Sequence, residues 1–152
     1  MLPAIEGESL AGGKVTLPEA ARGKIAVLIL GFTKASKEPT SAWANKLYGE
    51  RPSAGLQIYQ LPILEDVPGF IRGIVISSMK KGVPEDRRDH FVPIVKHEAA
   101  LKKLVSYKEP DDAYLIVLDV SGEVAFQIHG PSSDVAYREL SSKVQSLLNG
   151  QK

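Results

Sequence analysis

Hydroxyl and lysine side chains are concentrated in one short segment, where a helix is predicted to begin. The segment Lys34-Ala-Ser-Lys-Glu-Pro-Thr40 offers Lys34, Ser36, Lys37 and Thr40 as a candidate binding loop. Exposed backbone N–H groups at a helix N-terminus, together with lysines, favour an anion. An ordinary helix start capped by Ser36 has the same residue types. A nucleophilic serine would need a positioned base, and no G-x-S-x-G elbow is present.

Carboxylate and imidazole side chains form a second group of candidates. Three acids, Glu109, Asp111 and Asp112, lie within four residues ahead of a predicted strand. Paired carboxylates can transfer protons or bind Ca²⁺, although a solvated turn has the same composition. The histidines lack the i,i+4 or H-E-x-x-H spacing of a metal-binding helix; they are His90, His97 and His129. The sequence therefore predicts no metal ion and no cofactor.

Several functional classes are excluded by composition. The 152 residues include no cysteine, which excludes thiol–disulfide exchange and peroxide reduction by a thiolate. A net charge of +1 and 7% aromatic residues disfavour a nucleic-acid partner. The longest apolar run, Ile25–Leu30, is far shorter than the roughly 20 residues that span a bilayer. We therefore predict no nucleic-acid partner and no transmembrane segment.

The cellular compartment is left open by the sequence. The N-terminal residues Met1–Glu6 lack the basic and apolar regions of a signal peptide. They are either a natural start or the first residues of an exported, periplasmic chain whose signal has been removed.

One predicted helix has more apolar residues than a single buried face requires. Within 67–79, apolar side chains cover more than the usual stripe of about 100°; they are Phe70, Ile71, Ile74, Val75, Ile76 and Met79. Such a helix is either deeply buried or presents a contact surface. We predict a candidate contact surface of Phe70, Ile74 and Ile76, for a protein partner or a second copy of the chain.

The order of strands and helices predicts an α/β fold in a single domain over 1–152. Strands are predicted at Ile25–Leu30, Leu56–Leu61, Ala113–Leu118 and Val124–His129. Helices are predicted from Pro39 to Gly49, from Pro68 to Gly82, from His97 to Val105, and from Ser132 or Ser133 to Leu148. The continuous apolar run of the first strand favours a sheet covered on both faces. Short connections and right-handed crossovers then give one central mixed sheet flanked by helices, with Trp43 buried on the first helix.

Three blocks of sequence carry a family resemblance. The block Leu17–Phe32 looks like the segment that leads into the first core strand of periplasmic thioredoxin-like and peroxiredoxin-like proteins. The block Tyr114–Gly130 is similar to their LxDxxGxxxxxxxG hairpin. Between these, Tyr59–Glu65, Ile71–Pro84 and His90-Phe91 resemble the mitochondrial assembly factor for the membrane sector of ATP synthase and its bacterial relatives.

The resemblance implies a thioredoxin-like fold and a chaperone-like, non-redox role. Ser36, Lys37 and Thr40 lie where thioredoxin-like enzymes have thiols. The usual cis-proline would fall near Asp112 or Ala113, and no proline is there. We therefore expect a binding or assembly module and no enzyme. The alternatives are a peroxiredoxin-like or hydrolytic activity at the Ser36–Thr40 loop, or a small-anion or metal-binding protein that uses that loop with Asp111 and Asp112. Asp112 and Ala113 also belong to the candidate binding loop, because they lie where the proline is missing.

Overall fold

A computed structural model describes residues 2–50 and 55–150 of the chain. Within these residues the strands are β1 Ile5–Glu8, β2 Lys14–Leu17, β3 Ile25–Gly31, β4 Leu56–Pro62, β5 Tyr114–Leu118 and β6 Val124–His129. The helices are α1 Lys37–Gly49, α2 Gly69–Gly82, α3 Glu98–Leu104 and α4 Asp134–Asn149. Two short 3₁₀ segments lie at Glu19–Ala21 and Glu85–His90.

The central sheet contains the four predicted strands in the order β4-β3-β5-β6. Strand β3 runs parallel to β4 and antiparallel to β5, and β5 pairs antiparallel with β6. The prediction of one mixed sheet is therefore confirmed. Strands β1 and β2 form a separate antiparallel pair in which Ile5 lies opposite Leu17. Strand β1 was not predicted, because Ile5 is the only large apolar residue in it.

Strand β3 is the centre of the molecule, and all seven of its residues are buried. Its side chains alternate between the two faces of the sheet, as the period of a strand requires. On one face, β3 packs with α1 and α4 in a core whose helical members include Trp43, Leu47, Tyr137 and Leu140. On the other face, it packs with α3 and the β1–β2 hairpin, which contribute Leu101, Ile5 and Leu17. The continuous apolar run is therefore explained by burial on both faces.

Helices α1, α3 and α4 follow the predicted pattern with small differences. The α1 helix begins at Lys37, two residues before the predicted Pro39. Trp43 is fully buried, as predicted, and its Nε1 donates a hydrogen bond to the Gly130 carbonyl at 2.8 Å. In α4 the Ser133 hydroxyl accepts a hydrogen bond from the Ala136 N–H, as predicted for a helix cap. In α3, Leu101 is buried against the sheet whereas Ala100 is exposed.

Helix α2 differs from the other three because none of its residues is buried. The side chain of Phe70 is 83% exposed and that of Ile74 is 70% exposed. Ile76 is half-buried, as are Val75 and Met79. Of the two alternatives for this apolar helix, deep burial is therefore wrong, and the contact surface stays a prediction. No helix of the described residues is long and apolar enough to span a membrane.

Candidate functional site

In the segment between β3 and α1, the hydroxyl groups of Thr33 and Ser36 form hydrogen bonds with each other's backbone. The Ser36 Oγ donates to the Thr33 carbonyl at 2.6 Å, and Ser36 is only 2% exposed. The Thr33 Oγ1 accepts from the Ser36 N–H at 3.2 Å. Although Ser36 precedes the first residue of α1, its side chain caps no helical N–H. The hydroxyl is therefore buried and directed at a backbone carbonyl, which cannot act as a general base.

Gly31 allows this segment to pack against the end of β3. A Cβ atom placed on Gly31 would lie 2.5 Å from Ser36 Oγ and 3.1 Å from Thr40 Cγ2. The Thr40 Oγ1 in turn donates to the Ser36 carbonyl at 2.8 Å. Only a residue without a side chain fits this close approach.

Two acids before β5 contact the ends of other elements. Asp111 Oδ1 accepts a hydrogen bond from Thr33 Oγ1 at 2.6 Å, which joins two loops that are 78 residues apart. Asp112 Oδ2 lies 2.9 Å from His129 Nδ1 at the end of β6. The His129 ring stacks on Tyr114, with centroids 5.3 Å apart. Ends of the sheet strands thus bring hydroxyl, carboxylate and imidazole groups together at one place.

The predicted binding-loop residues occupy different environments there. Lys34 and Lys37 are exposed, and neither forms an ion pair within the described residues. Ala113 is fully buried and directly precedes β5. Within residues 2–50 and 55–150 the only cis peptide bond is Leu17–Pro18, so the peptide bond before Ala113 is trans.

Sequence reasoning did not find Thr33 or the pairing of Asp112 with His129. The available signal for the second was the hairpin, because its register places His129 opposite Tyr114 and near the preceding loop. In the described part of the chain, no group of His, Cys, Asp and Glu side chains is arranged to hold a metal ion. The observed contacts form a hydrogen-bonded cluster in which Ser36 is buried and Asp111 and His129 are exposed.

A second cluster of charge joins the turn that precedes α2 to the start of α3. The N–H of Glu98, at the start of α3, donates to Glu65 Oε1 at 3.3 Å. Burial is the main cause that raises the pKa of the Glu98 carboxyl, and a hydrogen bond with Asp66 adds to the rise. The Lys102 Nζ, 3.8 Å from Glu98, acts in the opposite direction. Three carboxyl groups beside one lysine leave an excess of negative charge just before α2.

The exposed side of α2 has an apolar middle and a basic end, and the turn with Glu65 and Asp66 precedes it. Phe70, Ile74, Ser77 and Lys81 recur at intervals of three or four residues, so they lie on one face of the helix. All four are exposed. We call these four residues the outer face of α2. Arg72 lies away from this face, and its guanidinium NH₂ group donates to the Val67 carbonyl at 2.9 Å.

Comparisons with known proteins show that the chain resembles solved structures but matches no known sequence family. No protein-family model matches the chain, and no curated protein matches it in sequence. The chain is similar in structure to a thiol:disulfide interchange protein DsbE from Chlorobium tepidum, with a TM-score of 0.65 and 15% identity over 96% of this chain and 94% of that one.

Two further solved structures show the same likeness. One is the thioredoxin domain of a thiol-disulfide oxidoreductase from Bacteroides vulgatus, with a TM-score of 0.63 and 18% identity over 93% of this chain and 94% of that one. The other is BsSco, a member of the Sco family of cytochrome c oxidase assembly proteins, with a TM-score of 0.63 and 13% identity over 95% of this chain and 91% of that one. Together with the mixed sheet flanked by helices, these likenesses show that the chain has a thioredoxin-like fold.

Proposed function

We propose that this chain is a non-catalytic thioredoxin-fold protein that acts by binding, as an assembly or chaperone-type module. The observation that carries the proposal is the open outer face of α2, where Phe70 and Ile74 are 83% and 70% exposed. Large apolar side chains grouped on a free surface are typical of contact sites, because their removal from water is favourable. The predicted contact surface thus supplies Phe70 and Ile74, while Ile76 is half-buried beside them.

The position of the missing thiols supports a role without redox chemistry. Several structural neighbours are named as thiol:disulfide interchange proteins or oxidoreductases, whereas this chain has no cysteine. At the start of α1 it has Ser36, whose buried hydroxyl donates to a backbone carbonyl. A hydroxyl held in this way is neither a redox group nor an activated nucleophile. The hydrolytic alternative therefore has no supporting contact in the site.

The anion and metal alternatives are also unsupported by the contacts in the loop. The Thr33 hydroxyl donates to Asp111, and Asp112 is paired with His129. These carboxylates put negative charge beside the N-terminus of α1, which disfavours an anion there. An assembly role is consistent with the name of BsSco, which places that neighbour among assembly proteins, and with the resemblance to the ATP synthase assembly factor.

We expect the purified chain to show no disulfide reductase turnover. Without a thiolate, neither nucleophilic attack on a disulfide nor a mixed-disulfide intermediate can occur. In an insulin-reduction assay with dithiothreitol, the rate of turbidity should equal that of the protein-free blank. A thioredoxin with intact cysteines serves as the positive control. Turnover well above the blank, with contaminants excluded, would contradict a non-catalytic role.

We expect association through the outer face of α2 to depend on Phe70 and Ile74. A Phe70→Glu and Ile74→Glu double variant places two charges in the contact, and a buried unpaired charge is strongly unfavourable. Capture of a partner from a host extract, or self-association, should be lost in this variant. Val135→Glu is the matched control, because Val135 on α4 is 70% exposed, as Ile74 is. If the double variant folds and keeps every association of the parent, the binding proposal fails.

A further inference from the structure

We propose that the outer face of α2 binds the same face of a second copy, in an antiparallel arrangement about a two-fold axis. This inference rests on the proposed function, since it names the occupant of the same surface. The argument starts from the distribution of charge. Glu65 and Asp66 lie in the turn that precedes α2, and Lys80 and Lys81 lie in the last turn of the helix. All four side chains are exposed.

Opposite charges at the two ends make the surface complementary to itself. In an antiparallel pair each acidic end meets the basic end of the other copy, whereas a parallel pair would place like charges together. The two lysines form no ion pair within the described residues. The acids belong to the cluster with Glu98, which Lys102 neutralises only in part. Both ends therefore carry charge that a second copy can neutralise.

Small residues allow the two helices to approach each other in this arrangement. In the antiparallel register that places Phe70 opposite Ser77, Ile74 lies opposite Gly73, and the turn before each helix lies near the basic end of the other copy. Gly73 is exposed, and a Cβ atom placed on it would have no neighbour within 4 Å. The large side chains of one copy thus meet the small side chains of the other. This size complementarity repeats on both sides of the axis, as an isologous interface requires.

The size of the surface predicts a reversible dimer. One helix face offers much less than the roughly 800 Å² per partner that a standard stable interface buries. We therefore expect association that depends on concentration, and that weakens as salt screens the charged ends. In sedimentation equilibrium, the mean mass should rise above the 16.5 kDa of the monomer as the protein concentration approaches about 100 µM.

Charge reversal provides the decisive experiment. Lys80→Glu with Lys81→Glu gives a chain with two acidic ends, and Glu65→Lys with Asp66→Lys gives a chain with two basic ends. Each variant alone should remain monomeric at concentrations where the parent dimerises, because like charges then meet. An equimolar mixture of the two variants should form a 1:1 heterodimer. Circular dichroism shows whether each variant is folded, and Val135→Glu should dimerise like the parent.

Other results would overturn the inference in different ways. A parent chain that stays monomeric at every concentration excludes the second copy as the occupant. If such a chain still captures a host protein or binds lipid vesicles, and loses this with Phe70→Glu, the binding module stands and only the dimer fails. A dimer that persists in Phe70→Glu places the interface elsewhere and also overturns the inference. A mixture of charge variants that stays monomeric excludes the antiparallel pairing of the ends.

Discussion

Replacement of Trp43 by alanine is expected to lower the free energy of unfolding by about 3–5 kcal/mol, the range for emptying a buried aromatic site. Trp43 is fully buried in the core between the sheet, α1 and α4. Its ring lies 6.3 Å from that of Tyr137, centroid to centroid. Alanine would leave a cavity there, and would also leave the Gly130 carbonyl without the hydrogen bond from Nε1.

Urea denaturation followed by far-ultraviolet circular dichroism measures this loss. Trp43→Phe separates its two sources, since it keeps an aromatic ring but removes the N–H donor. We expect it to be less destabilising than Trp43→Ala. Val135→Ala is the control, and a surface substitution of this kind should change stability by no more than about 0.5 kcal/mol. A loss below about 1 kcal/mol for Trp43→Ala would contradict the packing role of the indole ring.

Gly31→Ala is expected to destabilise the protein by about 1–3 kcal/mol, the usual range for overpacking. The added methyl group would lie 2.5 Å from Ser36 Oγ. Ser36 cannot move freely, because its Oγ donates to the Thr33 carbonyl and it is buried. The same substitution at Gly73, which is helical and has open space around it, should stabilise the protein by roughly 0.5–1 kcal/mol.

A second substitution tests whether contact with the Ser36 hydroxyl causes the destabilisation expected for Gly31→Ala. In Gly31→Ala with Ser36→Ala, the contact at 2.5 Å is gone, and the closest remaining atoms are Thr40 Cγ2 at 3.1 Å and the Cβ of residue 36 at 3.4 Å. The double variant should therefore lose less stability than the sum of the two single variants. Thermal and urea denaturation of the four proteins complete the cycle. Equal effects of alanine at Gly31 and Gly73 would show that the close approach at Gly31 is not significant.

The central sheet could be predicted from the sequence because local patterns report burial directly. The run Ile25–Leu30 has no polar residue, and such a strand fits only a position covered on both faces. The hairpin after Tyr114 follows from two strand-like runs separated by Ser121-Gly122. Strand β1 was not predicted, because Ile5 is its only buried residue and one apolar residue makes no strand pattern.

The contacts of the candidate site could not be predicted, because they join residues that are distant in the chain. Thr33 and Asp111 are 78 residues apart, and their hydrogen bond depends on how β3 and β5 pair. The environment of α2 was undetermined for another reason. Apolar periodicity shows which residues avoid water, but it does not show what covers them. Only the structure shows that Phe70 and Ile74 are left open within one chain.

The alternation of β3 side chains between two cores affects how the protein unfolds. Leu28 belongs to one core and Val27 to the other, so neither core can open while β3 keeps its place in the other. We therefore expect both cores to unfold together as one cooperative unit. Helix α2 contributes no buried residue to either and can open by local fluctuation alone. The surface that we propose for binding is thus formed by the helix with the least buried surface. Because α2 is already helical in the free chain, binding loses less conformational entropy than it would with a disordered segment.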